Sequence, residues 1–285
     1  MSWQDSGVGT ETGGYRTIRV EPAGTAVGAF ISGVDLTSLG DDQFAEIHRA
    51  FSDHGVVFFR DQHITTDQHL EFAQRWGAVN VNRFFPSVET HPMIAEVRKE
   101  PGQRVNVGGA WHTDHSYDQV PALGSILVAR EVPAIGGDTL FSSMYAAYEA
   151  LSDGLKETLL GLEAVHSSRH VFGRQEPGSA RDDAREELFS NAEQATQDAV
   201  HPVVIEHPLS GRPALYVNLG FTTRFVGWTV DESQPLLDFL YRHAARNEFT
   251  YRFTGEPGTI AFWDNRAVHH NALNDYHGER RLMPR

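Results

Sequence analysis

The stretch FTYRFTGEPGTIAFW, residues 249–263, indicates the fold class of this chain. Two short runs rich in aromatic and β-branched residues, Phe249–Phe253 and Thr259–Trp263, lie on either side of the turn sequence GEPG. Such runs, separated by glycine and proline, are typical of two β-strands joined by a turn. The connection is too short for the helical crossover that parallel strands need. The stretch therefore predicts antiparallel β-structure.

The same texture recurs over much of the chain. Further β-like runs are Val56–Arg60, Ser125–Arg130, Val200–His207 and Ala214–Asn218. The sequence LSGRP lies between the last two runs and predicts a hairpin-type turn. Strands this closely spaced argue against a doubly wound parallel sheet. They favour a mainly β fold with flanking helices, built as a β-sandwich or jelly roll.

Three segments carry helical patterns. In the first, Phe44, Ile47 and Phe51 recur at helical spacing after an acidic start, and Gly55 marks the end. The other two are a helix that begins at the Thr65-Thr66 cap and ends at Gly77, and one or two helices in Met144–Leu162 with a break at Ser152-Asp153-Gly154.

No internal repeat or change in composition divides the chain. Residues 1–14 are rich in Gly, Ser and Thr, which predicts a disordered N-terminal tail. Residues 15–285 are predicted to form a single domain. Within it, residues 173–199 are long, polar and highly charged. They predict a mobile insertion or lid, the alternative being a plain solvated loop.

The composition excludes several classes of function. The 285 residues carry a net charge of −14, which disfavours binding to nucleic acid. The chain has no cysteine, which excludes disulfides, thiolate metal sites and cysteine nucleophiles. A metal would need nitrogen and oxygen ligands, and 15 histidines are available. No run approaches the roughly 20 apolar residues that span a bilayer, and the N-terminus lacks a signal pattern. We therefore expect a cytoplasmic protein that does not enter membranes.

His112 and Asp114 are the first candidate metal ligands. At positions i and i+2 of an extended segment, both side chains project from the same face and can reach one ion. A second histidine would complete a face of two histidines and one carboxylate. The adjacent His269 and His270 are the candidates, and on a strand only one of them can face the ion. His270 follows Asp114 by 156 residues, which is compatible with two antiparallel strands that meet.

Arginines cluster at the end of the sequence, at positions 280, 281 and 285. One interpretation is a solvated strand with surface ion pairs, which contribute little to stability. The other is that guanidinium groups bind the carboxylates of small acids.

Taken together, these motifs resemble those of a known family. The sequences WHTD (111–114), GGDT (136–139), NLGFTTRF (218–225) and WDNR with HH, RR and R (263–285) occur in the order found in the taurine dioxygenase family. That family contains Fe(II)- and 2-oxoglutarate-dependent oxygenases, including phenoxyalkanoate dioxygenases and alkylsulfatases. The resemblance runs from about Tyr15 to Arg285. It implies a double-stranded β-helix core, which is a jelly-roll variant. It also makes a homodimer or homotetramer possible.

The resemblance also assigns residues to roles. It implies that His112, Asp114 and His270, rather than His269, bind Fe(II). Thr139 and Arg281 match the residues that hold the distal carboxylate of 2-oxoglutarate. Arg285 matches the arginine that binds the anionic group of the substrate. With O2, such an enzyme decarboxylates 2-oxoglutarate to succinate and CO2 and hydroxylates a substrate carbon, and C–S or C–O cleavage can follow.

The substrate pocket departs from the taurine-specific pattern. Asn82, Phe85 and Gly108 stand where that pattern has a His, a Tyr and an Asn, so taurine itself is not the expected substrate. With Phe84 and Phe221, these residues suit a longer or aromatic small organic anion, or are simply core residues. A metal-dependent jelly-roll hydrolase or isomerase with the same three ligands is the alternative, and a non-catalytic binding module is a third. The hydrolase or isomerase leaves Thr139, Arg281 and Arg285 without a role, and the intact set of three ligands argues against a binding module that has lost its metal.

Overall fold

A computed structural model describes residues 14–174 and 188–285 of the chain. The predicted disordered tail, residues 1–14, lies outside the described residues except for Gly14. Residues 175–187 of the predicted insertion lie outside them as well. The described end of that insertion, residues 188–199, contains a 3-10 turn at Ala192–Gln194 and already enters a strand at Asp198, two residues earlier than predicted.

The described part of the chain is mainly β-structure with helices. The strands are β1 (Arg19–Pro22), β2 (Ala29–Ser32), β3 (Val56–Phe59), β4 (Ser87–Val88), β5 (His91–Lys99), β6 (Gly124–Val128), β7 (Thr139–Ser143), β8 (Glu163–Ser167), β9 (Asp198–Pro202), β10 (Val204–Glu206), β11 (Pro213–Leu215), β12 (Thr222–Phe225), β13 (Thr250–Phe253), β14 (Ile260–Asp264), β15 (Val268–Ala272) and β16 (Arg281–Pro284). The helices are α1 (Asp41–His54), α2 (Thr66–Gln74), α3 (Met144–Glu149), α4 (Asp153–Leu159), α5 (Arg169–Phe172) and α6 (Val230–Ala244).

The largest sheet has five strands in the order β1, β2, β3, β14, β6, and only the β2–β3 pair is parallel. Its strand β3, VVFF, is buried along its whole length because both faces of the sheet are covered. On one face, Val57 and Phe59 pack in a cluster with α1 and α2. Alternation along the strand sends Val56 and Phe58 to the opposite face.

On that opposite face, the five-stranded sheet packs against a second sheet of order β13, β7, β15. The ring of Phe58 stacks on Phe253 at 4.2 Å, and Phe141 lies 5.6 Å from Trp263. Two layers of mainly antiparallel β-structure thus share one aromatic core. Three smaller sheets complete the structure: β12, β8, β9; then β16, β5, β4; and the β10–β11 hairpin.

The first two predicted helices are confirmed with their caps. Helix α1 ends at Gly55, which adopts the left-handed conformation, with φ 72°, that glycine tolerates. The hydroxyl of Thr65 caps α2 by accepting the N–H of Gln68, although the helix ends at Gln74, before Gly77. The predicted break in Met144–Leu162 lies at 150–152, so Asp153 and Gly154 belong to α4.

One detail of the β prediction was wrong. The run Val200–His207 is not one strand: β9 ends at Pro202 and β10 begins at Val204, because the chain changes partner at Val203, whose N–H donates to the carbonyl of Leu162 and whose carbonyl accepts the N–H of Tyr216. The turn LSGRP does connect β10 and β11, as predicted.

The sequence analysis also missed α6, a helix of 15 residues that contains Pro235 but begins with a capping box between Thr229 and Glu232.

Among the described residues, we find no helix with the length and apolar character that crossing a membrane would require.

Candidate active site

The candidate metal ligands His112, Asp114 and His270 come together between the two sheets. Strand β15 carries His270, and the segment at His112 pairs with it in an antiparallel bridge. The main-chain N–H of His112 donates to the carbonyl of His270 at 3.1 Å, and that of His270 donates back at 2.8 Å. One ligand atom from each of the three side chains lies within 4.8 Å of the others. Among the described residues, no other group of His, Asp and Glu meets this criterion.

The His112 ring is held with its Nε2 directed toward the carboxylate. Its Nδ1 donates to the carbonyl of Ala110 at 2.7 Å, which leaves Nε2 as the free ligand atom, 3.7 Å from Asp114 Oδ1. Two glycines permit this placement. A Cβ at Gly220 would lie 2.7 Å from His112 Cβ, and a Cβ at Gly108, where φ is +77°, would lie 3.3 Å from the ring.

His270 projects to the site, whereas His269 does not. The Nε2 of His270 lies 3.9 Å from Asp114 Oδ2, and its ring packs 4.6 Å from Trp263. Burial lowers the pKa of His112 and holds the pKa of His270 well below its usual range, so both imidazoles are neutral near pH 7. Neutral imidazole is the form that binds a metal ion.

Asp114 is a buried carboxylate that stays ionised. Burial alone would raise its pKa, but the Arg285 guanidinium, the strongest opposing influence, helps hold that pKa far below its usual range. Arg285 Nη1 donates to Oδ2 at 2.8 Å, and the hydroxyl of Ser125 donates to the same oxygen at 2.7 Å. The structure thus provides two neutral imidazoles and one carboxylate, a donor set that fits a divalent metal such as iron.

Arg281 lies buried at the start of β16, close to Thr139 on β7. The two side chains approach to 3.5 Å, between Nη2 and Oγ1. Arg281 is only 5% exposed, and its buried Nε has no hydrogen-bond partner within the described part of the chain. Guanidinium groups pair with carboxylates through two parallel hydrogen bonds. A buried guanidinium with unused donors beside a hydroxyl therefore fits the distal carboxylate of 2-oxoglutarate.

A cavity of 860 Å³ connects these groups. All the predicted site residues line it: His112, Asp114, His270, Thr139, Arg281, Arg285, Asn82, Phe85, Gly108 and Phe221. Phe84 does not line it, since its ring is fully buried and stacks on Phe172 at 4.2 Å. Of the three clustered arginines, Arg280 instead pairs with Glu100 and Glu131 at the surface.

Several residues of the site were missed by the sequence analysis. Ser125 binds Asp114, Gly220 makes room for His112, and Phe172 and Phe189 form part of the cavity wall. The sequence NLGF contains Gly220 and belongs to a quoted motif, so its glycine could have been singled out. The other three lie in stretches without a motif, and only the packing brings them to the site.

Comparisons with known proteins agree with this geometry. Residues 19–285 match the family described as "Taurine catabolism dioxygenase TauD, TfdA family". The chain is 35% identical to an alpha-ketoglutarate-dependent sulfate ester dioxygenase of Pseudomonas putida, covering 93% of this chain and 87% of that protein. It is 34% identical to an alkylsulfatase of Acinetobacter baylyi, covering 91% and 81%. A crystal structure of a taurine dioxygenase from Burkholderia xenovorans superposes with a TM-score of 0.77 at 34% identity, covering 94% and 89%.

The chain therefore belongs to the taurine catabolism dioxygenase TauD, TfdA family. It is a 2-oxoglutarate-dependent dioxygenase, which uses O2 and a metal ion as well as its cosubstrate. This result favours the oxygenase over the hydrolase or isomerase considered as its alternative.

Proposed function

We propose that the metal is Fe(II) and that His112, Asp114 and His270 bind it. The observation that carries this proposal is the group of three ligand atoms within 4.8 Å, two from neutral imidazoles and one from a carboxylate. Two histidines and one carboxylate occupy one face of an octahedral ion and leave other positions open. When bound, the ion supplies a centre at which O2 reacts with 2-oxoglutarate, giving succinate, CO2 and a hydroxylated product.

Two arginines bind two different acids, 2-oxoglutarate and the substrate. Arg281, with Thr139, binds the distal carboxylate of 2-oxoglutarate through its buried guanidinium. Arg285 lies at the other side of the ligand group, in contact with Asp114 and 5.0 Å from the ring of Phe85. It binds the anionic group of the substrate and so determines which C–H bond faces the metal.

We propose that the substrate is an alkyl sulfate ester or a related organic anion with an apolar body. Much of the cavity lining consists of apolar side chains: Phe85, Val107, Val171, Phe172, Leu188, Phe189 and Phe221. These side chains stabilise a hydrocarbon chain through burial, while Arg285 holds the anion. Hydroxylation of the carbon bonded to the sulfate oxygen gives an unstable product that releases an aldehyde and sulfate.

A second candidate is an aryloxyalkanoate. Four phenylalanine rings meet at the cavity: Phe85 lies 5.2 Å from Phe189 and 6.3 Å from Phe172, and Phe172 lies 5.8 Å from Phe221. The first two pairs are edge-to-face and the third is tilted, and an aromatic guest can make further ring contacts with such a cluster. Cleavage of the ether bond would follow from hydroxylation of its carbon.

The deciding experiment for the metal is anaerobic titration of the protein with Fe(II) and 2-oxoglutarate. We expect a weak charge-transfer absorption band in the visible region, which His270→Ala abolishes. The variant His269→Ala is the matched control, since the neighbouring ring projects away from the ligand group, and it should retain the band. Iron that binds to the wild type without producing the band would contradict the proposal.

The substrate is tested by succinate release with hexyl sulfate, hexanesulfonate, 2-phenoxypropionate and taurine. We expect hexyl sulfate to give the highest kcat/KM, with one hexanal and one sulfate formed per succinate. A preference for 2-phenoxypropionate would favour the second candidate. If taurine were preferred by a wide margin, the argument from the apolar wall would be wrong.

We also infer that the two facing sheets form a double-stranded β-helix core within one domain spanning 15–285. Two observations support this inference: the sheets β1-β2-β3-β14-β6 and β13-β7-β15 face each other, and they share one aromatic core. A lid function for residues 173–199 stays a prediction, as do a homodimer or homotetramer and a cytoplasmic location.

A further inference from the structure

A chain of four polar side chains leads from the surface to the cavity beside Arg285. Arg83 donates to Asp118 Oδ1 at 2.7 Å, and Asp118 Oδ2 accepts from Nδ1 of His115 at 2.9 Å. The other ring nitrogen of His115 lies 3.5 Å from Nδ2 of Asn82. None of these contacts is needed to explain the three metal ligands.

The contacts fix the direction of each hydrogen bond. An ionised carboxylate only accepts, so Nδ1 of His115 is the donor to Asp118, and in the tautomer with its proton on Nδ1 the ring presents Nε2 as an acceptor. The Asn82 amide is oriented independently, because its Oδ1 accepts the main-chain N–H of Phe84 at 2.9 Å. Its NH2 group therefore faces His115, donor to acceptor. The arrangement is consistent from one end of the chain to the other.

The backbone holds His115 in place at a cost in conformational energy. His115 has φ of +59°, one of the three positive values among the non-glycine residues described. A turn closes behind it, in which Asp118 N–H donates to the His115 carbonyl at 3.0 Å. The side chain is 6% exposed. Strained conformations of this kind occur where the surrounding contacts determine one orientation, often at functional sites.

Asn82 stands at the place where the substrate anion is expected. Both Asn82 and Arg285 line the 860 Å³ cavity and a neighbouring cavity of 300 Å³, so they form part of the boundary between the two. Within the described part of the chain, the side chain that Asn82 Nδ2 contacts is His115. The second N–H of that amide is available to an oxygen atom bound at Arg285.

We propose that His115 is a positioning residue that orients the Asn82 amide so that it donates to the anionic group held by Arg285. This inference rests on the proposed function, since it requires an anionic substrate. It predicts that the site favours anions with several oxygen acceptors, because a guanidinium and an amide then bind different oxygens. Asp118 acts through His115 by fixing its tautomer.

The selective variant is His115→Asn. An asparagine tolerates positive φ and its amide replaces Nδ1 as the donor to Asp118, but it has no atom in place of Nε2. We expect the KM for hexyl sulfate to rise about 5-fold while kcat stays within a factor of two, since a neutral hydrogen bond is worth about 1 kcal/mol. Mn(II) affinity, measured by calorimetry, should not change.

His201→Asn is the matched control. His201 is a buried histidine whose Nε2 contacts the main-chain carbonyl of Asp118 at 3.1 Å, in the turn that begins at His115. Among the described residues, it makes no hydrogen bond to Asn82. Its KM for hexyl sulfate should equal that of the wild type. An equal rise in both variants would show a general effect on the turn and would overturn the proposal.

A double-mutant cycle with Asn82→Ala tests whether His115 acts through Asn82. If it does, His115→Asn raises KM in the wild type but has no further effect in Asn82→Ala. Additive effects would overturn the positioning role. Failure of the proposed function gives a different result, because the wild type itself would then release no succinate with any of the four anions.

Discussion

Replacing Arg285 with glutamine should lower the stability of the metal-free protein and raise its affinity for a metal ion. In the structure, Arg285 Nη1 lies 2.8 Å from Asp114 Oδ2, with side chains 10% and 8% exposed. Removing one partner of such a buried pair leaves an uncompensated carboxylate and costs about 3 kcal/mol. We expect the melting temperature of the metal-free variant to fall by roughly 6 °C or more.

The effect on metal affinity has the opposite sign. A divalent ion held by Asp114 would lie close to the guanidinium, and charges of +2 and +1 roughly 6 Å apart repel by about 5.5 kcal/mol at an effective dielectric constant near 20. Movement of the arginine and entry of water reduce this repulsion. We therefore expect Arg285→Gln to bind Mn(II) at least about 10-fold more tightly, equivalent to about 1.4 kcal/mol.

Calorimetric titration with Mn(II) and thermal melting with and without the ion measure both effects. Arg280→Gln is the matched control, because Arg280 lies beside Arg281 but pairs with surface carboxylates, and it should leave the Mn(II) affinity unchanged. In the wild type, an organic anion that draws Arg285 away from Asp114 should raise Mn(II) affinity, and in the variant it should not. Equal or weaker Mn(II) binding by Arg285→Gln would refute the electrostatic argument.

Three further predictions concern stability and the cosubstrate. Burial lowers the pKa of His69 to about 4 and the pKa of His166 and His269 to about 3. Because each ring gains a proton more readily in the unfolded chain, the free energy of unfolding should fall between pH 6.5 and pH 4 by up to about 1.4 kcal/mol per pH unit for each histidine. Urea unfolding at pH 7.0 and 5.5 measures this change. A pH-independent free energy of unfolding in this range would contradict it. Gly220→Ala should cost about 1–3 kcal/mol and weaken Mn(II) binding because its Cβ would meet His112, whereas Gly161→Ala, which meets nothing within 4 Å, should do neither. Arg281→Gln should raise the KM for 2-oxoglutarate by about 10-fold or more while leaving Mn(II) affinity unchanged, since a charged hydrogen bond is worth about 1.5–3 kcal/mol. Unaltered 2-oxoglutarate kinetics would exclude Arg281 from that role.

Local sequence patterns predicted those parts of the fold that depend on neighbours in the chain. The spacing of apolar residues in α1, the cap at Thr65 and the turn before β14 are all determined within a few residues. Helix α6 escaped because Pro235 interrupts its pattern, while the capping box that starts it lies outside the apolar repeat. The division between β9 and β10 depends on a change of partner at Val203, from Leu162 to Tyr216, which the local sequence does not show.

The candidate site was predictable to the same extent. His112 and Asp114 follow from the geometry of an extended segment, whereas the choice of His270 over His269 needed the family resemblance. The partners of Asp114 could not be predicted, because Ser125 and Arg285 are 11 and 171 residues away and only the packing of sheets brings them together. The chain of hydrogen bonds from Arg83 through Asp118 and His115 could not be predicted for the same reason.

The bridge between His112 and His270 has a consequence for how this enzyme can diversify. Its two hydrogen bonds join main-chain atoms, so they do not depend on the chemical nature of the side chains at these positions, proline excepted. The two segments that carry the imidazoles are therefore joined through the backbone, whereas the apolar wall of the cavity is formed by side chains. Mutation can reshape that wall one residue at a time, and new substrates become accessible without loss of the catalytic centre.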